Sequence, residues 1–397
     1  MRVIHVIPGL GARQGGPAQA TVHASLALRD LGIECTIVAT DLAEAASSAT
    51  YSRVTSAELP AGADELDVRL TPVRWPGRYA FSPELARVLD RELPTADVVH
   101  IHGLYLYPSQ AAFRLASHHR KPFVVAPCGM LDPALRHRNR PLKAVVDTLW
   151  QRRMLDSAAA IHYKTRDEAR LVSDLRLRAP ARVVPNGIDF DGFAQPVGAE
   201  EFRARHLPDP GAPIVLNLGR LSYKKNLEAL VRALPAIRRE VPRTCLVLAG
   251  PDDEGLTPAL RALAEAEGVA DAVVFTGMLR GAERLAALAA TDVWALPSHT
   301  ENFGTAVVEA LAAGLPTVIS PGVNLAGEIA AAHAGIVAQP ADFATTIATL
   351  LRDRVERAQL GDRARRFARR YDWSAVAPQL ADLYRSIATA TPFAEAS

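Results

Sequence analysis

Residues 296–320 read LPSHTENFGTAVVEALAAGLPTVIS. Two carboxylates, Glu301 and Glu309, stand within this stretch with seven residues between them. Between them Asn302-Phe303-Gly304-Thr305 makes a short polar loop. From Ala306 to Leu311 the apolar residues follow a helical period, which Gly314 and Pro316 end. Glu301 is therefore expected on the loop and Glu309 on the first turns of a helix. The amides of Phe303, Gly304 and Thr305 then point out of the helix N-terminus, where positive partial charge gathers and phosphate binds. A carboxylate beside a phosphate site is repulsive unless the ligand also carries hydroxyls. A sugar on a diphosphate meets both demands.

Outward from this stretch the chain alternates strand and helix patterns, the signature of parallel α/β sheets. Strands are expected at 213–219, 244–249, 272–276, 293–296 and 317–320, with a helix at 227–240. The loop after the first of these carries Arg220 and Lys225, and no acidic residue lies between Gly219 and Leu227. Two cations there would balance a diphosphate, Arg by bidentate contact; a structural ion pair is the competing reading. The first half repeats the architecture. A strand over 1–8 leads into Gly11 to Pro17, with Gly15-Gly16 free to approach an anion or simply to turn, and a helix over 18–31. Further strands are expected at 32–40, 67–70, 96–103, 121–127, 158–163 and 181–185. His100 and His102 fall on one side of their strand, near the end that faces the ligand crevice in such sheets. His102, beside Gly103 at the exit, reads as the functional one and His100 as a core residue.

Residues 136–154 combine Arg136, His137, Arg138, Arg140, Lys143, Arg152 and Arg153 with Leu142, Val145, Val146, Leu149, Trp150 and Met154. The spacing is amphipathic and the polar face basic, which suits an anionic membrane surface or a solvated helix packed on its domain. Residues 190–212 are rich in Gly, Pro and Ala and read as an interdomain linker. The basic run 351–370 reads as a solvated helical face, followed by a final helix after Trp373.

Length suits two domains: 397 residues exceed what one core usually holds. An apolar fraction of 49% and a formal net charge of +2 describe an ordinary folded protein, with no field that would draw nucleic acid. Cys35, Cys128 and Cys245 are scattered, which implies neither a disulfide framework nor a metal knuckle and fits a reducing compartment. Neither a signal peptide nor a membrane span is expected. Asp189-Phe190-Asp191 has the D-x-D spacing of metal-dependent sugar transferases, but it follows the Asn186-Gly187 turn at the expected linker. No metal site is expected.

Gly15-Gly16-Pro17, His102-Gly103, Pro185-Asn186-Gly187-Ile188-Asp189, Gly219-Arg220 with Lys225, Pro297-Ser298, and Glu301 and Glu309 with Gly314 and Pro316 stand in a fixed order. Together they resemble the family 4 glycosyltransferases. The resemblance implies a GT-B fold: two Rossmann-like parallel α/β domains facing a central cleft. Residues 1–190 would bind acceptor, with helix 374–397 packing back on them, and 191–373 would bind nucleotide sugar. It further implies a retaining, metal-independent enzyme without cofactor that moves a sugar from an NDP-sugar to a hydroxyl. Arg220 and Lys225 would hold the diphosphate and stabilise it as a leaving group. Glu309 would bind the ribose. Glu301, with the Asn302 loop and the amides of Phe303, Gly304 and Thr305, would hold sugar and phosphate. Gly15 and Gly16 would approach the diphosphate, and His102 would stand near sugar and acceptor.

The segment Pro127 to Pro133 resembles that of bacterial transferases building surface polysaccharides, which implies a saccharide or lipid-linked saccharide acceptor. It also implies a cytoplasmic protein with a peripheral contact to the inner face of the membrane. Alternatives within these residues are a silent sugar-nucleotide sensor, an epimerase or a phosphorylase. Two departures stand out: Asn226 where the family favours Gly, and Pro321 to Leu325 in place of a Gly-Gly-x-x-Glu pattern, with Glu328 nearby.

Overall fold

The computed structural model describes residues 1–11, 16–42, 53–55, 58–136 and 140–389. Gly15, His137 and Arg138 lie outside them. The chain divides into two compact units, Met1–Gly187 with Trp373–Ser397, and Ile188–Asp372.

The first unit is built on seven strands: β1 (Arg2–Gly9), β2 (Glu34–Thr40), β3 (Asp67–Thr71), β4 (Val98–His102), β5 (Phe123–Ala126), β6 (Ala160–Tyr163) and β7 (Ala181–Val183). Their order is β3-β2-β1-β4-β5-β6-β7, parallel throughout. The central strands are covered on both faces, so β4 and β5 are fully buried; β5 is an apolar run, while β4 buries His100 and His102 among its apolar residues. The order reverses between β1 and β4, which makes the carboxyl end of β4 one side of a topological switch point. The helix Trp373–Ala388 packs Val376, Leu380, Ala381, Tyr384 and Ile387 with Val3, Leu28, Val98, Val124 and Ala160.

The second unit repeats the plan with β8 (Ile214–Leu218), β9 (Cys245–Ala249), β10 (Val273–Gly277), β11 (Val293–Leu296), β12 (Thr317–Ile319) and β13 (Ile336–Val337). The order is β10-β9-β8-β11-β12-β13, again parallel, so β8 and β11 flank its switch point.

Three readings of the sequence are corrected. Residues 190–212 are not a linker but folded parts of the second unit. Helices Phe190–Ala194 and Ala199–His206 bury Phe190 and Phe202 in its core, and Arg203 bonds the Ala212 carbonyl at 2.7 Å. Helices this short leave no period to recognise. Asp189 caps the first of them, accepting from the Gly192 amide.

Residues 136–154 do not form one helix with one face. Helix Arg140–Val146 passes through a π-helical turn, Asp147–Gln151, into helix Arg152–Ser157. The wider turn changes which side faces inward. Trp150 and Met154 enter the core, while Leu142, Val145 and Leu149 stay 66%, 55% and 73% exposed. Two of the cations are paired, Arg136 with Asp174 and Arg152 with Asp156. Among the described residues no helix is long and apolar enough to cross a membrane.

The basic run after Arg352 is solvated on one face only. Helix Arg354–Ala368 buries Leu360, Gly361, Ala364 and Phe367, and Arg365 donates to the Ala313 carbonyl at 3.1 Å. A Cβ on Gly361 would stand 2.2 Å from the Gly314 carbonyl oxygen. Gly361→Ala is accordingly expected to lower stability by about 1–3 kcal/mol, because backbone rather than a side-chain tip must move. Urea denaturation checks it, and an unchanged midpoint would disprove the close packing.

Candidate active site

In the second unit, two loops leave adjacent strands at the switch point. The loop after β8 turns sharply at Gly219 and runs through Arg220 to Lys225 before the helix Leu227–Glu240. Glu254 holds this loop from outside, accepting from the Ser222 hydroxyl and the Tyr223 amide at 2.9 Å each. Asn226 has φ +51°, in the left-handed region, so the departure from Gly falls at a position that needs that conformation and which Asn tolerates. Arg220 is exposed.

The loop after β11 carries Pro297 to Gly304 into the helix Thr305–Ala312. Gly304 caps that helix at φ +72°, and a Cβ there would meet Val307 at 3.0 Å and Glu301 at 3.2 Å. The first amides of the helix have no partner within it. The backbone of Glu301 is pinned to the loop after β12: its amide donates to Gly322 at 2.9 Å, and its carbonyl accepts from Asn324 at 3.0 Å. The segment that departs from the family pattern thus positions Glu301. Asn302 meets Asn324 across the same loops at 3.5 Å. Glu328 instead accepts from the Tyr371 hydroxyl at 3.2 Å.

The two loops meet where Lys225 Nζ lies 3.3 Å from Glu301 Oε2. The acidic partner absent from the local sequence arrives from 76 residues away. Glu309 is buried and paired with Arg284, from helix Gly281–Ala289, whose guanidinium also lies 5.4 Å over the Phe193 ring. Burial raises the Glu309 carboxyl above its usual range, and Arg284 opposes that shift. Arg284 belongs to no motif, so nothing in its neighbourhood marked it.

In the first unit His102 ends β4, followed by Gly103 at φ +81°. It is not isolated. His5, the β1 register partner of His100, places Nδ1 3.0 Å from His102 Nε2. The His100 and His102 rings lie 4.1 Å apart. His100 bonds Tyr384 at 2.6 Å and His162 at 3.3 Å, and His162 bonds the Val184 carbonyl at 2.8 Å. Lys164 lies 3.2 Å from His162. Burial, followed by Lys164, lowers His5 to about 3, and burial also holds His100, His102 and His162 well below the usual imidazole range. Burial brings Lys164 itself down to about 8. His5, His100 and His102 offer three nitrogens within 4.8 Å of one another, a spacing open to a metal. The His5–His102 hydrogen bond, those of His100 to Tyr384 and His162, and the adjacent Lys164 favour a neutral imidazole network.

Gly16, at the start of helix Gly16–Arg29, is described. His100, read as a core residue, is one and is also a member of this network.

Residues 15–187 match the glycosyl transferase 4-like domain, and residues 198–367 match glycosyl transferases group 1. The D-inositol 3-phosphate glycosyltransferase of Stackebrandtia nassauensis is 30% identical over 306 residues, 72% of this chain and 68% of the relative. HepE of Anabaena, solved with UDP and glucose, superposes with a TM-score of 0.75 at 18% identity, over 97% of this chain and 100% of HepE. WaaG, a glycosyltransferase involved in lipopolysaccharide biosynthesis, superposes at 0.68 with 16% identity, over 97% and 99% of the two chains. The chain belongs to the family 4 glycosyltransferases of GT-B fold and is a sugar-transferring enzyme.

Proposed function

We propose that this enzyme transfers a glycosyl unit, with retention, from a nucleoside-diphosphate sugar to a hydroxyl of a saccharide or lipid-linked saccharide in polysaccharide biosynthesis, without a metal. One observation carries the reading. At the switch point of the second unit, the Lys225–Glu301 pair joins the two loops that also present Arg220 and the N-terminus of the helix Thr305–Ala312. Cation and amides suit a diphosphate, and the carboxylate suits sugar hydroxyls. HepE, solved with UDP and glucose, supports a uridine donor. Arg220 and Lys225 would supply the leaving-group stabilisation that a metal gives elsewhere. Glu309 would meet the ribose, with Arg284 behind it. For the first unit, the family resemblance gives Gly15 and Gly16 a role at phosphate and His102 a role near sugar and acceptor. The acceptor hydroxyl would attack the sugar carbon from the face that the phosphate leaves, and the departing phosphate oxygen would help take its proton.

The test is a screen of UDP-, GDP- and ADP-sugars with and without membrane lipid extract, and with inositol phosphate as a second acceptor arm. Acceptor-dependent release of nucleotide supports transfer. Turnover is expected to persist in EDTA; loss in EDTA that manganese restores would sink the metal-free reading.

The exposed Leu142, Val145 and Leu149 beside Lys143 further support peripheral contact with an anionic membrane on the cytoplasmic side. Leu142→Asp with Leu149→Asp is expected to lower liposome binding at least about tenfold, since each inserted leucine is worth roughly 1.5–3 kcal/mol. Flotation measures it. Equal recovery of the unaltered protein with neutral and anionic vesicles would reject the electrostatic part.

A further inference from the structure

We propose that His5 and Tyr384 are positioning residues that hold the histidine network in one tautomeric arrangement, with His102 presenting Nδ1–H as a fixed hydrogen-bond donor to the sugar. This rests on the role proposed above for His102 near the sugar. The chain of hydrogen bonds determines the arrangement. The Val184 carbonyl can only accept, so His162 Nε2 carries the proton and His162 Nδ1 accepts. His100 Nε2–H therefore donates to His162. His100 Nδ1 is left bare and accepts the hydroxyl of Tyr384, which reaches it from the helix Trp373–Ala388.

The second branch is His5 and His102. His5 Nε2 is buried without a partner. A buried orphan N–H is rarer than an under-used acceptor. The proton of His5 thus sits on Nδ1 and is donated to His102 Nε2, 3.0 Å away. A neutral imidazole carries one proton, so His102 holds its own on Nδ1. Lys164, within 3.3 Å of both nitrogens of His162, disfavours any added positive charge. His102 is consequently a donor and not a base, at the carboxyl end of β4 where ligands of such sheets bind.

Long-range nitrogen–proton spectra of the full chain, histidine-labelled and assigned with single His→Gln variants, test the arrangement directly. The expected result is His102 as the Nδ1–H form and His100 and His162 as Nε2–H forms, unchanged between about pH 6 and 8. His102 as the Nε2–H form, or titrating in that range, would overturn the proposal. So would stoichiometric zinc in the purified protein that His5→Gln releases. In kinetics, His5→Leu is expected to lower kcat about tenfold with donor KM within about twofold, whereas His5→Gln, whose amide still donates, stays within about threefold of wild type. Tyr384→Phe, which removes one hydroxyl, is expected to shift the His100 signals while the chain stays folded by circular dichroism. Unmoved His100 signals would overturn its role. Wild-type turnover by His102→Gln would instead remove His102 from the sugar site, and the spectra separate that failure from a wrong tautomer.

Discussion

Lys225→Ala is expected to lower kcat at least about tenfold, a loss of roughly 1.4 kcal/mol or more of transition-state stabilisation. The pairing with Glu301 at 3.3 Å offers a rival explanation: the lysine could serve only to neutralise the carboxylate. A double variant decides between them. If Lys225 acts through Glu301 alone, Lys225→Ala costs nothing further once Glu301 is Gln, and the double variant matches Glu301→Gln. If Lys225 stabilises the departing diphosphate, the double variant is slower than Glu301→Gln by about the factor that Lys225→Ala costs the wild type, because the leaving group still lacks its cation. The second outcome is expected. The side chains keep 13% and 25% of their surface exposed, so the pair is partly screened and its rupture alone should cost little stability. Steady-state kinetics on the two single variants and the double, with the melting temperature as a control, provide the measurement. Wild-type turnover by Lys225→Ala would remove the residue from the site.

The same pair shows where sequence stops being informative. Strand Val293–Leu296 and helix Leu227–Glu240 have the limits that their apolar runs and flanking turns announce. Short-range chemistry sets such features: period, glycine, proline. The approach of Lys225 to Glu301 is set by the parallel pairing of β8 with β11, and no local spacing encodes it. The histidine network has the same origin. Alternation put His100 and His102 on one side of β4, but His5 and Tyr384 join them through register and helix packing across 97 and 284 residues. Residues 190–212 failed for another reason. Two short helices hold few apolar anchors each, and tertiary burial of Phe190 and Phe202 orders them rather than propensity. Within 136–154 the amphipathic period was present, and the π-helical turn redistributed its apolar residues between core and surface.

Arg284→Ala is expected to destabilise the second unit by about 3–5 kcal/mol at neutral pH, because it leaves the Glu309 carboxylate buried without its counter-charge. The effect should depend on pH in a defined direction. Burial raises the Glu309 carboxyl in the folded protein, so protonation there is favoured more than in the unfolded chain. The contribution of such a group is full below the unfolded carboxylate value and is lost as pH rises through the folded value. Removing Arg284 takes away the one influence that opposed this shift, and the folded value moves further up. The deficit of Arg284→Ala relative to wild type is therefore greatest near neutrality and shrinks as pH falls towards the carboxylate range. Glu309→Gln added to Arg284→Ala replaces the charge with an amide and should recover most of the lost stability, though not the ribose contact assigned to Glu309. Chemical denaturation at about pH 7 and about pH 5 measures all three chains. A deficit independent of pH, or a double variant no more stable than Arg284→Ala, would show that Arg284 stabilises the unit through its packing over Phe193 rather than through the charge of Glu309.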